Sequence, residues 1–506
     1  MRSARVADSL VSAVVLMVFL TVLQRGTGFF RNVLVCRLLD SDDLGCWNLS
    51  HSVLLLLAPL IVLGLPGTFK RYLAYYRERG QLHLFVRRAT VVTGILTLVG
   101  VYLALGFRHF LGWAVFGASS RTDLIAPVIV ALIFVIVFNF CAELLMALRQ
   151  AKVVFYVQFA NSVLFTVFSL VLILAFQMRT NGVIAGFAAA NFVTSIWAII
   201  VIRQTLCGEI PDIPQEDQPL RFWHKLAPFA AWYWIADLCG NLFGFVDRLM
   251  IVHLADKYGY DGLFMIGQYH SSQVIGMLLV GLTSMFGGVL LSYLSHDWET
   301  GNRDKAERTL DFATKLAALA LTATAGVALL MAPPVFQLVL DNKFTAGFRV
   351  LPLTMAYCIW FGLLVISHNF LWCREKPWLV SVSFVFGLLA NVSLNLVCLP
   401  LWGLDGAVAA TAVANLLALG VVFWLCHQLG MRYSLGTLIA VCAPASLVLG
   451  GTVTIAFVVF VAITGWSGRW LFSDFERAQL LKMCHVGLAK LRIPWLNSGV
   501  ETAATK

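Results

Sequence analysis

The sequence predicts an all-α fold, a polytopic membrane helix bundle of about 12–14 transmembrane helices with no sizeable soluble domain. Composition is the first reason. Of 506 residues, 60% are apolar and only 12% charged, with a mean hydropathy of +0.85. A soluble domain is about 45–50% apolar and about 25% charged. The second reason is a series of nearly charge-free runs, such as Val11–Leu23, Val128–Phe138, Val163–Phe176 and Val448–Ile463. With their flanks, several reach the roughly 20 residues that span a bilayer. The third is the alternation of charge between successive loops.

Spans are expected near 8–35, 44–72, 88–107, 122–148, 154–176, 181–202, 224–252, 263–293, 309–331, 349–372, 377–399, 403–427 and 436–463. Arg2 and Arg5 precede the first run, and no small-x-small site ends it, so it reads as a retained helix rather than a cleaved signal. With the N-terminus inside, the cytoplasmic segments carry 20 Lys and Arg residues and the opposite side carries 7. This follows the positive-inside rule. It also accounts for the net charge of +10 without nucleic acid as a partner. Eleven scattered cysteines include no CxxC and no zinc spacing, and read as small packing residues.

Residues 207–221 are acidic and hold Pro211, Pro214 and Pro219. Prolines stiffen a chain and bar helix. The segment reads as a cytoplasmic linker, and the organisation as a six-helix half over 1–203, a linker over 204–223, a second half over 224–427 and an extension over 428–506. The extension holds one further crossing or two, then a basic amphipathic tail with Arg469, Arg477, Lys482, Lys490 and Arg492. The halves show short matches at corresponding elements. Gln24, Thr27 and Arg31 precede Asn241, Gly244 and Arg248 by 217 residues, and Gly182-Val-Ile-Ala-Gly186 corresponds to Gly403-Leu-Asp-Gly406. Gly45-Cys-Trp47 is matched by Gly267-Gln-Tyr269. An even number of spans per half makes these parallel repeats about an axis along the membrane normal.

A charge inside a membrane normally faces a cavity or a partner, because burying it in lipid costs roughly 2.5–3.5 kcal/mol. Asp237, Asn241, Gly244 and Arg248 fall on one stripe of a 3.6-residue helix, as do Thr21, Gln24, Gly28 and Arg31. Two such stripes can face each other across a cavity. The structural alternative is that Asp247 and Arg248 lie near an interface and snorkel. Arg25 sits elsewhere on the first helix. Glu143, His270 and His368 are isolated ionisable residues, and packing is the expected role of the two histidines. No Gly-x-Ser-x-Gly, His-Glu-x-x-His or P-loop occurs, so neither hydrolytic chemistry nor an ATP-driven pump is indicated.

Three stretches carry a family resemblance. The first runs from Arg31 through Asp40 to Gly45-Cys-Trp47. The second is Val246-Asp247-Arg248, leading to Gly267-Gln-Tyr269. The third is Leu399-Pro400-Leu-Trp-Gly403-Leu-Asp-Gly406-Ala-Val-Ala-Ala-Thr411. In this order they resemble the Wzx-type polysaccharide flippases of the MOP superfamily over roughly residues 10–430. Asp40 departs from the family pattern, which has Gly there. The resemblance implies a non-enzymatic transporter in the bacterial inner membrane. It would flip polyprenyl-diphosphate-linked glycans outward, without a cofactor, coupled to an H+ or Na+ gradient, and beside polymerase and export machinery. A diphosphate needs fixed cations, and the planar donor fork of arginine suits it. Arg25, Arg31, Arg248, Gln24 and Asn241 are the candidate cavity residues, with Asp237, Asp247 and Glu143 as orienting or ion-coupling groups. The rival readings are an ion-coupled drug exporter of the same superfamily, a membrane polymerase or ligase, and an assembly subunit. Against the second, no outer loop is long.

Overall fold

A computed structural model describes residues 23–117, 121–148, 150–208, 219–468, 471–473, 476 and 477. Most of the linker, residues 209–218, lies outside the described residues, as do the first 22 residues and the tail beyond 477. The described residues contain helices and no strand. This is the helical membrane bundle that composition required.

The first helix, α1, covers 23–38. It is followed by α2 (Ser41–Val62), α3 (Phe69–Glu78), α4 (Leu82–Gly106), α5 (Arg108–Phe116), α6 (Ile125–Ala147), α7 (Ala151–Leu174) and α8 (Arg179–Cys207). After the linker come α9 (Pro219–Phe243), α10 (Val246–Leu254), α11 (Gly262–Glu299), α12 (Arg303–Pro334), α13 (Thr345–Cys373), α14 (Pro377–Gln428), α15 (Leu435–Cys442) and α16 (Gly451–Ser467). Nine of the described helical segments are long and apolar enough to cross a membrane. One of them, α14, is two antiparallel arms. Gly403 breaks it with φ 56° and ψ −129°. Gly406 then packs directly on the Cys398 carbonyl of the other arm, where any Cβ would collide. Arms this close require a residue without a side chain.

Three expectations from hydropathy change in three dimensions. The segments 70–88 and 108–121 were expected as loops, yet both hold helices, α3 and α5. A short helix between two spans leaves no deficit or excess of hydropathy to reveal it. The span expected over 224–252 is interrupted at Gly244 and Phe245, which separate α9 from α10. The span expected over 436–463 turns back on itself. A 3-10 segment, Ala443–Leu449, extends α15, and Gly450 follows at φ 101°.

Packing fixes the direction of this last hairpin. Thr437 Oγ1 lies 2.5 Å from Asp311 Oδ1, near the start of α12. Gly451 packs against the Gly326 carbonyl further along α12. The chain then returns, because Leu471 sits against Gly436. Each limb is about 25 Å long at 1.5–2.0 Å per residue, close to the hydrocarbon thickness. The turn thus brings residues 471–477 back to the end of the bundle where α15 begins. There the 1% exposed Lys315 ammonium lies 2.8 Å from Glu476 and 3.8 Å from Asp311.

Contacts between the regions before and after the linker concentrate on α2 and α11. At the end where both helices begin, Gly45 meets the Leu263 carbonyl and Gly267 meets the Ser41 carbonyl. The Gln268 side chain donates to Ser41 Oγ at 3.1 Å. The far end of α2 turns at Leu63 (φ 50°) and Gly64 (φ 69°) and rests on Ala230 and Trp234 of α9.

Candidate functional site

Polar residues inside the bundle fall into three neighbouring groups. The first surrounds a cavity of about 310 Å³ between α2, α6, α7 and α9. Pro59, Asn139, Glu143, Gln158, Asp237 and Asn241 line it. Asp237 and Glu143 lie within electrostatic reach of one another across it. This is a cavity with two carboxylates and several neutral amides, which suits a cation or a proton rather than a phosphate.

The second group is built by the interruption between α9 and α10. The turn at Gly244 and Phe245 frees the Gly244 carbonyl, and Arg248 Nη1 donates to it at 2.6 Å. Arg248 Nη2 donates to Gln273 Oε1 at 2.8 Å. Gln273 in turn donates to the Tyr357 hydroxyl at 2.9 Å, which is 2.9 Å from the Tyr269 hydroxyl. Tyr269 donates to Asp247 Oδ2 at 2.8 Å, while Asp247 Oδ1 accepts the Arg248 backbone N–H. A buried polar chain with each link satisfied holds its members rigidly. A cavity of about 100 Å³ beside it is lined by Asp247, Arg248, Gln273, Tyr357, Thr411 and Asn415. Arg248 Nε is buried without a hydrogen-bond partner.

The third group lies where α1, α2 and α11 meet. The Arg31 guanidinium stacks on the Phe165 ring of α7, 4.0 Å from its centroid. The His51 ring is 5.3 Å from Trp47 and 5.6 Å from Phe187. Asn48 and His270 hydrogen-bond to each other from opposite sides of the α2–α11 contact, 222 residues apart. His270 Nε2 is buried without a hydrogen-bond partner. Both His51 and His270 lie within electrostatic reach of both Arg31 and Arg248. Each of these imidazoles thus feels one arginine from before the linker and one from after it.

This arrangement differs from the expected one in specific ways. The stripe Asp237, Asn241, Gly244 and Arg248 assumed one continuous helix. Because the helix breaks at Gly244, Asp237 and Asn241 face the carboxylate cavity while Asp247 and Arg248 face the other. The expected pairing of Asp237 and Asp247 with the two arginine side chains does not occur among the described residues. Asp247 is held by Tyr269 and Asp237 looks toward Glu143. Arg25 is exposed, and its guanidinium lies against Gly281 of α11. Gln24 contributes its backbone carbonyl to Ser162, at 3.4 Å. Thr21 lies outside the described residues. His368 packs as expected, 2.9 Å from Ser383 Oγ and with its ring beside Phe384. His270 packs with a hydrogen bond to Asn48, while His51, Asn48, Gln273 and Tyr357 were not among the candidates and Tyr269 entered only through the Gly267-Gln-Tyr269 motif. The offset of 222, which relates Asn48 to His270 and His51 to Gln273, was the available signal.

Residues 10–297 match the family model described as polysaccharide biosynthesis protein. No curated protein sequence matches the chain significantly. Among solved structures, the fold is similar to that of the lipid II flippase MurJ in an inward closed conformation. The TM-score is 0.66 at 13% identity, covering 90% of this chain and 99% of that one. An inward-facing multidrug resistance MATE family transporter of the MOP superfamily gives 0.63 at 15% identity, covering 82% and 97%. The Vibrio cholerae MATE transporter VcmN gives 0.60 at 12% identity, covering 85% and 98%. At such identities the likeness is one of fold, and the fold is that of MOP-superfamily transporters.

Proposed function

Because the chain belongs to the polysaccharide biosynthesis protein family, we propose that it flips a polyprenyl-diphosphate-linked oligosaccharide from the cytoplasmic to the outer face of the bacterial inner membrane. Its coarser character is a multi-pass membrane protein with a transporter fold. The observation that carries the substrate reading is a pair of arginines, one from each region, both within electrostatic reach of His51 and His270. Neither Arg31 nor Arg248 is in an ion pair among the described residues. A guanidinium held by neutral partners keeps its charge available to an incoming anion, and two of them match the two phosphoryl groups of a diphosphate.

Movement follows from the same arrangement. Arg31 is held by the region before the linker and Arg248 by the region after it. A ligand bound to both is carried by a rocking motion about the α2–α11 contact, which exposes it to each side in turn. The polyprenyl chain stays in the bilayer, where its burial costs nothing. On this reading Asp237 and Glu143, which line one cavity, take up the coupling ion, H+ or Na+.

That cavity also favours a second reading, an ion-coupled exporter of cationic drugs, since its carboxylates are the right sign for such a substrate. One experiment separates the two. The gene is expressed in a strain lacking its glycan flippase and in a strain lacking its drug exporters. Restored surface glycan in the first, with unchanged drug sensitivity in the second, supports the flippase. The opposite pattern refutes it.

A further inference from the structure

A third cavity, without a role so far, lies at the other end of the region after the linker. It measures about 330 Å³ and is lined by Ser295, Trp298, Arg303, Cys373, Arg374 and Glu375, with Trp372 at its rim. The turn from α11 to α12 and the turn from α13 to α14 form its walls. Both of these turns belong to segments that the charge pattern assigns to the cytoplasm.

Two guanidiniums share one aromatic ring there. The Arg303 guanidinium lies 5.2 Å from the Trp298 ring centroid and that of Arg374 lies 5.0 Å from it. Like charges held this close to one indole repel each other, and the ring offsets that only in part. An anion between them would offset the rest. Neither guanidinium is in an ion pair among the described residues. Of the nearby acids one is engaged by a lysine, one lines the cavity unpaired among the described residues and one offsets part of the Arg374 charge from a distance. Asp297 binds Lys305 at 2.8 Å, Glu375 lines the cavity without pairing to either arginine, and Glu307 is within electrostatic reach of Arg374. Arg374 also donates to the Leu429 carbonyl, and its Nε is buried without a hydrogen-bond partner. Arg303 is the first residue of α12, a helix of 32 residues. The positive end of such a helix adds favourable potential for an anion, reduced by the first-turn carboxylate of Asp304.

We infer that Trp298, Arg303 and Arg374 form a phosphate site which takes the phosphodiester head of an anionic phospholipid. Two neighbouring tryptophans place the site at the level of lipid head groups. Trp372 is 41% exposed and Trp378 is 51% exposed. Exposed tryptophans at helix ends mark the membrane–water interface. Basic pockets between membrane helices on that side are suited to phosphate heads. A bound head group would add a bridge between the α11–α12 and α13–α14 turns, which already meet where Trp298 packs on Phe370 and Arg374 and where Ser295 lies 3.8 Å from Cys373.

The test uses the full-length protein in detergent. Phosphatidylglycerol and phosphatidylcholine are added in equal amounts, and retained lipid is read by native mass spectrometry. Inorganic phosphate binding is measured separately by calorimetry. The expected result is selective retention of phosphatidylglycerol, reduced about tenfold for each guanidinium removed in Arg303→Gln and Arg374→Gln. Phosphate binding with the same arginine dependence but no lipid selectivity would keep the phosphate chemistry and overturn the lipid source. Equal retention of both lipids, unchanged by either variant, together with no phosphate binding, would overturn the site. Arg303→Lys provides a folded comparison, since it keeps the charge and loses the planar stack.

Discussion

Gly45 and Gly267 press on each other's helices at the junction of α2 and α11. A side chain at Gly45 would strike the Leu263 carbonyl, and one at Gly267 would strike the Ser41 carbonyl. Their separation is the same 222 residues that relates Asn48 to His270, which meet one turn further along. If the two regions are copies of one repeat, as the sequence offsets suggest, corresponding positions touch only on the axis that relates them. This contact is thus the natural pivot for any relative motion of the two regions.

Gly45→Ala and Gly267→Ala are expected to push α2 and α11 apart at this contact. Forcing a methyl into such a contact costs about 1–3 kcal/mol. A cysteine placed at Ser41 should react faster with an impermeant thiol reagent in the glycine variants than in the parent. Equal labelling would show that the contact tolerates the added methyl and is not a tight pivot.

Arg31→Ala and Arg248→Ala should each nearly abolish glycan export at normal protein abundance, with lipid-linked units accumulating on the cytoplasmic side. Arg→Lys should impair export less, because charge remains while the fork is lost. Arg31 also stacks on Phe165, so its abundance must be checked by immunoblot. Normal export at matched abundance would remove both residues from the binding site.

Glu143→Gln and Asp237→Asn are expected to separate coupling from binding. Both residues line a cavity apart from the arginines. Export should therefore lose its response to the ion gradient, while the lipid-linked substrate still binds. If the variants keep a normal gradient response, the coupling ion is held elsewhere.

Lys315 is enclosed between Asp311 and Glu476. Lys315→Ala leaves two buried carboxylates without their cation and should destabilise the protein by about 3–5 kcal/mol. Lys315→Met combined with Glu476→Leu should recover much of that, since Asp311 keeps its bonds from Ser434 N and Thr437 Oγ1. Thermal unfolding in detergent reads both.

The C-terminal hairpin makes a topological prediction. Single cysteines at positions 434 and 473 should label from the same side of the membrane. Positions 80 and 214, placed inside by the charge pattern, should share that side. Labelling of any of them by an impermeant reagent in intact cells would reverse the orientation.

The sequence by itself determined the class of molecule, most of its spans and the family. Hydropathy and loop charge are local properties, set by each segment's own transfer free energy, so they survive without knowledge of neighbours. The sharp turn between the arms of α14 was also legible, since Gly403 and Gly406 belong to a recognisable motif. Tertiary structure alone decided which polar residues work together. Two residues at Gly244 and Phe245 interrupt a helix and divide one apparent stripe between two cavities, and periodicity carries no mark of such a break. Likewise, His270 looks isolated in the sequence because Asn48, Arg31 and His51 reach it only across the α2–α11 contact. The return of the chain at Gly450 is of the same kind. Each limb holds fewer residues than the roughly 20 of an ordinary span, so hydropathy merges the two, and what fixes the turn is its packing along α12, with Gly451 against Gly326 and Glu476 against Lys315.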